Sequence, residues 1–349
     1  MTDKTDLASQ VMAQLGSVIE PELRRDLVTL NMIKDLRIEG DTASFTIMLT
    51  TPACPLKDEI ERSAREAALK VEGINQVEIR LDSSVPTDRR ITGRLDLPLK
   101  SLIAVSSGKG GVGKSTIAAN LAVALSQSGA AVGLMDADIL GPNLPTMMGV
   151  HRMPPPENNR LIPAQAFGVK LMSMGFLIPP EQPLVWRGPM LHSAIRQFFT
   201  DVEWGPLDYM VIDLPPGTGD AQLTLAQSVP LSGAIIVTQP QNVAVDDALR
   251  SLAMFEKLDV PIIGVVENMS GEFFGSGGGQ RMAEQRGVPF LGSVPLDPQV
   301  RIGGDSGRPI VLEAPDSPAA QALIKIAGEV AARVSVLTLG RGDDVTPAG

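Results

Sequence analysis

Apolar residues recur along this chain in two rhythms. Over residues 7–18, Leu7, Val11, Met12, Leu15 and Val18 fall at helical spacing and predict one buried face of a short helix. Over residues 41–50, Ala43, Phe45, Ile47 and Leu49 alternate with Ser44, Thr46, Met48 and Thr50, the period of a half-buried strand. Pro55 suits the first position of a following helix that buries Ile60, Ala64, Ala67 and Ala68. Val77, Ile79 and Leu81 alternate again as a strand. Together these segments predict a small α+β domain over residues 1–82. Residues 83–100 carry prolines, charges and little periodicity, and read as a linker.

Beyond residue 100 the rhythm changes. Runs at 102–105, 130–135, 169–174, 207–214, 234–238, 261–266 and 290–294 are apolar nearly throughout. Helical patterns stand between several of them: at 190–199, at Val245, Ala248, Leu249 and Leu252, and at 280–286, with a last helix at 317–337. Continuous apolar strands alternating with helices indicate a mostly parallel sheet covered on both faces, an α/β domain over 101–339. Residues 151–166, with Pro154, Pro155 and Pro156, read as a surface excursion, and 340–349 as a disordered tail.

The chemistry concentrates where the first of those runs ends. Residues 106–121, SSGKGGVGKSTIAANL, place a glycine loop between strand and helix, the context of a P-loop. Gly108, Gly110, Gly111 and Gly113 let the backbone turn its N–H groups inward, with Val112 among them, and the helix start adds partial positive charge. Lys114 is expected on the β- and γ-phosphates, the Ser115 hydroxyl on Mg²⁺ and Thr116 on an inner phosphate oxygen. Asp136 and Asp138 close the strand 130–135, and Asp213 closes 207–214, where open α/β sheets present ligand-binding groups. The glycine-rich turn after Asp213, residues 215–220, is placed to respond to a terminal phosphate. Asn268 offers a donor and an acceptor to a purine edge. A lysine and serine closing the loop suit a nucleoside triphosphate with Mg²⁺ rather than a dinucleotide.

Bulk composition narrows the partners. The 349 residues carry a formal charge of −10 and only short basic spots near Arg89, Arg90 and Arg94, so stable nucleic-acid binding is not expected. No uninterrupted apolar run spans a bilayer and MTDKTDLASQ has no secretory h-region; with one cysteine, a cytoplasmic protein is expected. His151 and His192 are too few and too separated for a histidine metal site. Cys54, in TPACP between strand and helix, has two readings: a thiol of lowered pKa at a helix start, or a small buried apolar residue.

The motifs also carry a family resemblance. GKGGVGKS is similar to the deviant Walker A loop of the MinD/ParA/nitrogenase-iron-protein class, with Lys109 as its additional lysine. DADILGPN, WRGPM, DYMVIDLPPGTGD, TQPQNVAVDDA, GVVENMS and PLDPQVRIGGDSGRP together resemble the Mrp/ApbC iron–sulfur cluster carrier ATPases, and residues 1–82 resemble the MIP18-like (DUF59) domain often fused to them. The resemblance implies a P-loop NTPase that hydrolyses ATP as a face-to-face homodimer and serves apo iron–sulfur proteins and an assembly scaffold. It implies that Lys109 reaches the partner subunit's phosphates, that Asp138 orients water, and that Asp136 and Asp213 support the Mg²⁺ shell. Asn268 and the backbone near Pro295 would hold adenine. The family commonly has CxxC after NMS, four thiolates per dimer for a [4Fe–4S] cluster, whereas here GEFFGSGGG follows Met269 and Ser270. Cys54 is the one thiol left as an iron–sulfur ligand. A cluster bound in another way, or an ATPase that assists assembly without carrying the cluster, are both compatible. The alternative class is a MinD/ParA-like positioning or partitioning ATPase, distinguished by ATP-dependent binding to lipid or DNA. A GTPase is disfavoured because Asn268 lacks the aspartate of an NKxD motif.

Overall fold

The computed structural model describes residues 4–91, 98–138, 141–177, 188–217 and 219–340. The chain forms two compact units, one built on Met1–Pro86 and one spanning Thr87–Thr338.

The first unit runs α1 (Lys4–Leu15), the short pair β1 (Ile19–Glu20) and β2 (Arg25–Asp26), β3 (Ile33–Glu39), β4 (Thr42–Leu49), α2 (Lys57–Ala68) and β5 (Gln76–Ser83). Its three-stranded sheet has the order β3-β4-β5, antiparallel then parallel, so α2 is the crossover of a βαβ unit. Ala43, Phe45, Ile47 and Leu49 are all buried, as their alternation requires, and Ile60, Ala64, Ala67 and Ala68 form the inner face of α2. Pro55 is not the first helical residue: α2 starts at Lys57 with Leu56 as its N-cap, and Pro55 lies in the preceding turn. β3 escapes a period-two reading because its register shifts between Lys34 and Arg37, with Asp35 at φ 53°, which interrupts the alternation.

The second unit continues β6 (Leu99–Ser107), α3 (Lys114–Gln127), β7 (Val132–Asp136), α4 (Leu144–Met147), β8 (Ala164–Ala166), β9 (Val169–Ser173), α5 (Gly188–Thr200), β10 (Leu207–Asp213) and α6 (Asp220–Ser228). It ends with β11 (Gly233–Thr238), α7 (Asn242–Lys257), β12 (Ile262–Ser270), α8 (Gly278–Arg286), β13 (Phe290–Pro295), α9 (Pro298–Asp305), α10 (Ile310–Glu313) and α11 (Pro318–Leu339). The eight-stranded sheet has the order β13-β12-β11-β6-β10-β7-β9-β8, parallel throughout except for the β8–β9 edge pair. Leu102, Ile103, Ala104 and Val105 of central β6 are fully buried, consistent with cover on both faces.

Part of the stretch read as a linker belongs to this unit. Ile91 is buried in its core, the Asp88 N–H donates to the Lys100 carbonyl, and β6 begins at Leu99. The expected tail lies outside the described residues from 341 onward, as do Ile139, Leu140, Trp186, Arg187 and Thr218 among the motif residues.

Candidate functional site

The glycine loop follows β6 and precedes α3 as its sequence predicts. Gly111 and Gly113 adopt φ 82° and 84°, and Gly113 is the N-cap of α3, offering no side chain to the first-turn N–H groups. Two glycines are fixed by close approach. A Cβ on Gly108 would lie 2.0 Å from the Asp247 backbone on α7, and one on Gly113 would lie 2.2 Å from Asn268 Nδ2. The Ser107 hydroxyl donates to the Lys109 carbonyl (2.9 Å), and Lys109 itself is half-buried at the loop.

Beneath the loop the strand ends bring the predicted acids together. Asp136 and Asp213 are register partners on β7 and β10. Lys114 Nζ donates to Asp213 Oδ1 at 2.6 Å, with the two side chains 6% and 1% exposed. Asp213 Oδ2 is buried with no hydrogen-bond partner among the described residues. Asp136 accepts from the Asp138 N–H (3.2 Å) on Oδ1, and from the Leu144 N–H (3.2 Å) and the Ser173 hydroxyl (3.0 Å) on Oδ2. Burial, then the neighbouring charge of Asp213, pushes the Asp136 carboxyl up to about 8. Burial also raises Asp213, opposed by the Lys114 ammonium. Asp138 is buried and its Oδ1 accepts from the Gly141 N–H at 3.2 Å.

The turn after Asp213 is stitched to β6, the strand that leads into the glycine loop. Leu214 donates its N–H to the Val105 carbonyl (3.1 Å), and Gly217, at φ 92°, donates to that of Ser107 (3.0 Å). Movement of this turn would therefore be felt directly at the start of the glycine loop.

Magnesium suits the donors present. Hard carboxylate and hydroxyl oxygens are its usual protein ligands, and the orphaned Asp213 Oδ2 is a buried acceptor awaiting a positive partner. Asp213 and the half-buried Ser115 are thus the residues able to support it, with Asp136 behind them.

A cavity of about 310 Å³ opens beside the loop, lined by Thr116, Asn268 and Pro295 together with α4 and α9. That volume is at the lower end of small-molecule sites. Asn268 is buried and donates Nδ2–H to the Val112 carbonyl at 2.9 Å, so the residue expected at a purine edge also braces the P-loop. Sequence reasoning did not single out Ser173, whose one signal is its register pairing with Asp136. Nor did it place the helix α9 beside the cavity; its start is marked by Asp297, which accepts from the Gln299 N–H, and by Pro298.

Cys54 belongs to the first unit, and of its two readings the structure supports the buried one. The residue is 8% exposed in the core of that unit, and burial pushes its thiol pKa up to about 11 rather than down. In the second unit, residues 271–275 close after Ser270 through paired Gly271 and Gly275 backbone bonds (2.9 and 2.7 Å), with Phe273 88% exposed. The segment is a closed turn with no thiolate. Among the described residues no group of three or more His, Cys, Asp or Glu side chains is arranged to hold a metal ion.

Comparison with known proteins identifies the family of both units. Residues 98–331 match the family model described as "NUBPL iron-transfer P-loop NTPase" in the ParA group, and residues 8–81 match "Iron-sulfur cluster assembly protein". The chain is 50% identical over 346 residues to the "Iron-sulfur cluster carrier protein" of Synechocystis, covering 94% of this chain and 98% of that one. It is 47% identical to the protein of the same description from Deinococcus radiodurans, covering 97% and 98%. Among solved structures, a nucleotide-binding protein from Archaeoglobus fulgidus in complex with ADP is 37% identical, with a TM-score of 0.55 over 64% of this chain and 92% of that one. The septum site-determining protein MinD of Pyrococcus horikoshii, complexed with Mg-ADP, is 27% identical with a TM-score of 0.54 over 65% and 94%. The chain belongs to the iron–sulfur cluster carrier family of ParA-group P-loop NTPases.

Proposed function

We propose that this member of the family binds and hydrolyses ATP with Mg²⁺ and uses that cycle to deliver, or help deliver, iron–sulfur clusters to apo-proteins. The observation that carries the ATPase half is the Lys114–Asp213 pair seated under a glycine loop, with a third acid, Asp136, in register beside it. The cluster half is supported by full-length similarity to carriers and by the assembly-protein match of residues 8–81.

In this reading the glycine-loop N–H groups, from Gly108 through Gly113, and the start of α3 hold the phosphates. Lys114 leaves Asp213 for the β- and γ-phosphate oxygens, and Thr116 meets an inner phosphate. Magnesium, supported by Ser115, Asp213 and Asp136, supplies neutralisation of phosphate charge when bound. Asp138 holds the attacking water in line. The base and ribose occupy the cavity between Asn268 and Pro295. Two copies of the chain are read as facing one another, Lys109 reaching the partner's nucleotide to offset charge developing in the transition state.

The cluster is cargo in this scheme. No CxxC is available and Cys54 is buried, so the thiolate ligands are read as coming from a scaffold or client protein. The higher identity to carriers than to MinD favours this reading over a positioning ATPase. Among the described residues no helix is long and apolar enough to cross a membrane. The test is phosphate release from Mg-ATP by wild type and Lys114→Ala, paired with activation of an apo-[4Fe–4S] enzyme in the presence of iron, sulfide and a scaffold. Hydrolysis and activation that are both lost in the variant support the proposal. Hydrolysis without any effect on activation rejects the cluster role.

A further inference from the structure

The cavity beside the P-loop is lined by two short helices distant in sequence, α4 through Thr146 and Met147, and α9 through Val300, Arg301 and Gly304. The two helices pack on each other. Just beyond each stands a glycine in the left-handed region: Gly149 at φ 65° and Gly307 at φ 72°. Their backbones touch. A Cβ on Gly307 would lie 2.4 Å from Gly149 Cα and 2.7 Å from its nitrogen, and a Cβ on Gly149 would lie 2.9 Å from the Gly307 carbonyl oxygen. Carbon atoms settle at roughly 3.5–4.0 Å, so alanine at 307 must drive the two segments apart by about 1 Å.

Each side of this contact is anchored to the phosphate end of the site. The Leu144 N–H, at the start of α4, donates to Asp136 Oδ2 at 3.2 Å. Beyond Gly307, the Arg308 N–H donates to the Gly303 carbonyl (2.8 Å) and the Val311 N–H to Asn120 Oδ1 (3.2 Å). Asn120 sits on α3 and donates its Nδ2–H to the Thr116 carbonyl at 2.9 Å. α4 is thus tied to the acid cluster and α9 to the P-loop helix, and the glycine pair joins the two.

We infer that the Gly149–Gly307 contact is a backbone clamp that fixes the spacing of α4 and α9, so that the base and ribose are gripped in register with the phosphates. The two glycines are positioning residues for the nucleoside half of the ligand, an assignment that rests on the nucleotide reading of the cavity. It makes a distinction that a generally destabilised fold would not. Widening the cavity weakens a ligand that has a base and leaves one that is only phosphate untouched.

Calorimetric titration of the full chain with Mg²⁺ and either ATP or inorganic tripolyphosphate tests this. Gly307→Ala is expected to weaken ATP about tenfold or more, with tripolyphosphate unchanged. Gly149→Ala, whose Cβ meets an oxygen at 2.9 Å, shifts ATP in the same direction by less, and serves if the 307 variant does not fold. Gly287→Ala is the control: it imposes the same strain at φ 65° with nothing within 4 Å of the added Cβ, and keeps wild-type affinity for both ligands. Wild-type ATP affinity in folded Gly307→Ala and Gly149→Ala, or equal loss of both ligands, overturns the clamp alone. A wild-type protein that gains nothing from the adenosine of ATP over tripolyphosphate overturns the nucleotide reading of the cavity, and the clamp with it.

Discussion

Lys114 Nζ lies 2.6 Å from Asp213 Oδ1, and both side chains are almost wholly buried. The lysine expected on phosphate is therefore held by the strand-end acid expected on magnesium. Each neutralises the other in the buried site. Lys114→Ala strands a buried carboxylate beside Asp136 and is expected to destabilise the nucleotide-free protein by about 3–5 kcal/mol, while lowering ATP turnover at least about a hundredfold. Adding Asp213→Asn to Lys114→Met should recover much of the stability and none of the turnover. Thermal melts and phosphate release check both, and a melt unchanged in Lys114→Ala would contradict the pairing.

Gly108 and Gly110 look alike in the sequence and differ in space. A Cβ at 108 would overlap the Asp247 backbone at 2.0 Å, whereas at 110 its nearest neighbour is Pro216 Cγ at 4.0 Å. Gly108→Ala is expected to cost about 3 kcal/mol or more, since α7 must move. Gly110→Ala should melt as wild type does. Denaturant titration of the two separates them, and equal midpoints would show that the loop does not pack on α7.

Asp88 gives the second unit a pH-dependent brace. Burial works against its charge, but the Arg90 guanidinium and N–H and the Ser232 hydroxyl outweigh it and hold the carboxyl below its ordinary range. A folded pKa below the unfolded one means that the unfolded chain binds the proton first. The stabilisation is thus complete above about pH 3.9 and is lost as the pH falls through the depressed folded value. Asp88→Asn should cost about 1–3 kcal/mol at pH 7 and progressively less in acid. A difference that grows on acidification would reverse the sign and reject the assignment.

Cys54 should behave as a buried neutral thiol. With its pKa pushed up to about 11, alkylation by iodoacetamide at pH 7.5 is expected to be far slower in the native protein than in the denatured one, accelerating as the pH rises. Mass spectrometry of the adduct follows it. Native modification as fast as denatured would restore the activated-thiol reading.

Much of this fold is legible because burial on both faces leaves continuous apolar strands, and because a P-loop needs glycines at fixed offsets before its lysine. Asp136, Asp138 and Asp213 could be placed from strand ends alone. β3 could not, since the register shift around Asp35 breaks its alternation. Ile91 sits in a stretch whose prolines and charges suggest only a linker, although it packs into the larger core. Ser173 and Gly307 were invisible for a different reason: their roles come from neighbours 37 and 158 positions away, Asp136 and Gly149, and no local pattern encodes such contacts.

ATP-driven cluster delivery is tested by activation of an apo-[4Fe–4S] enzyme under anaerobic conditions, with iron, sulfide and a scaffold supplied. The comparison is between wild type, Cys54→Ala and Lys114→Ala. Activation is expected from wild type and from Cys54→Ala, and none from Lys114→Ala. Equal activation with and without a hydrolysing chain would mean that ATP hydrolysis plays no part in cluster delivery.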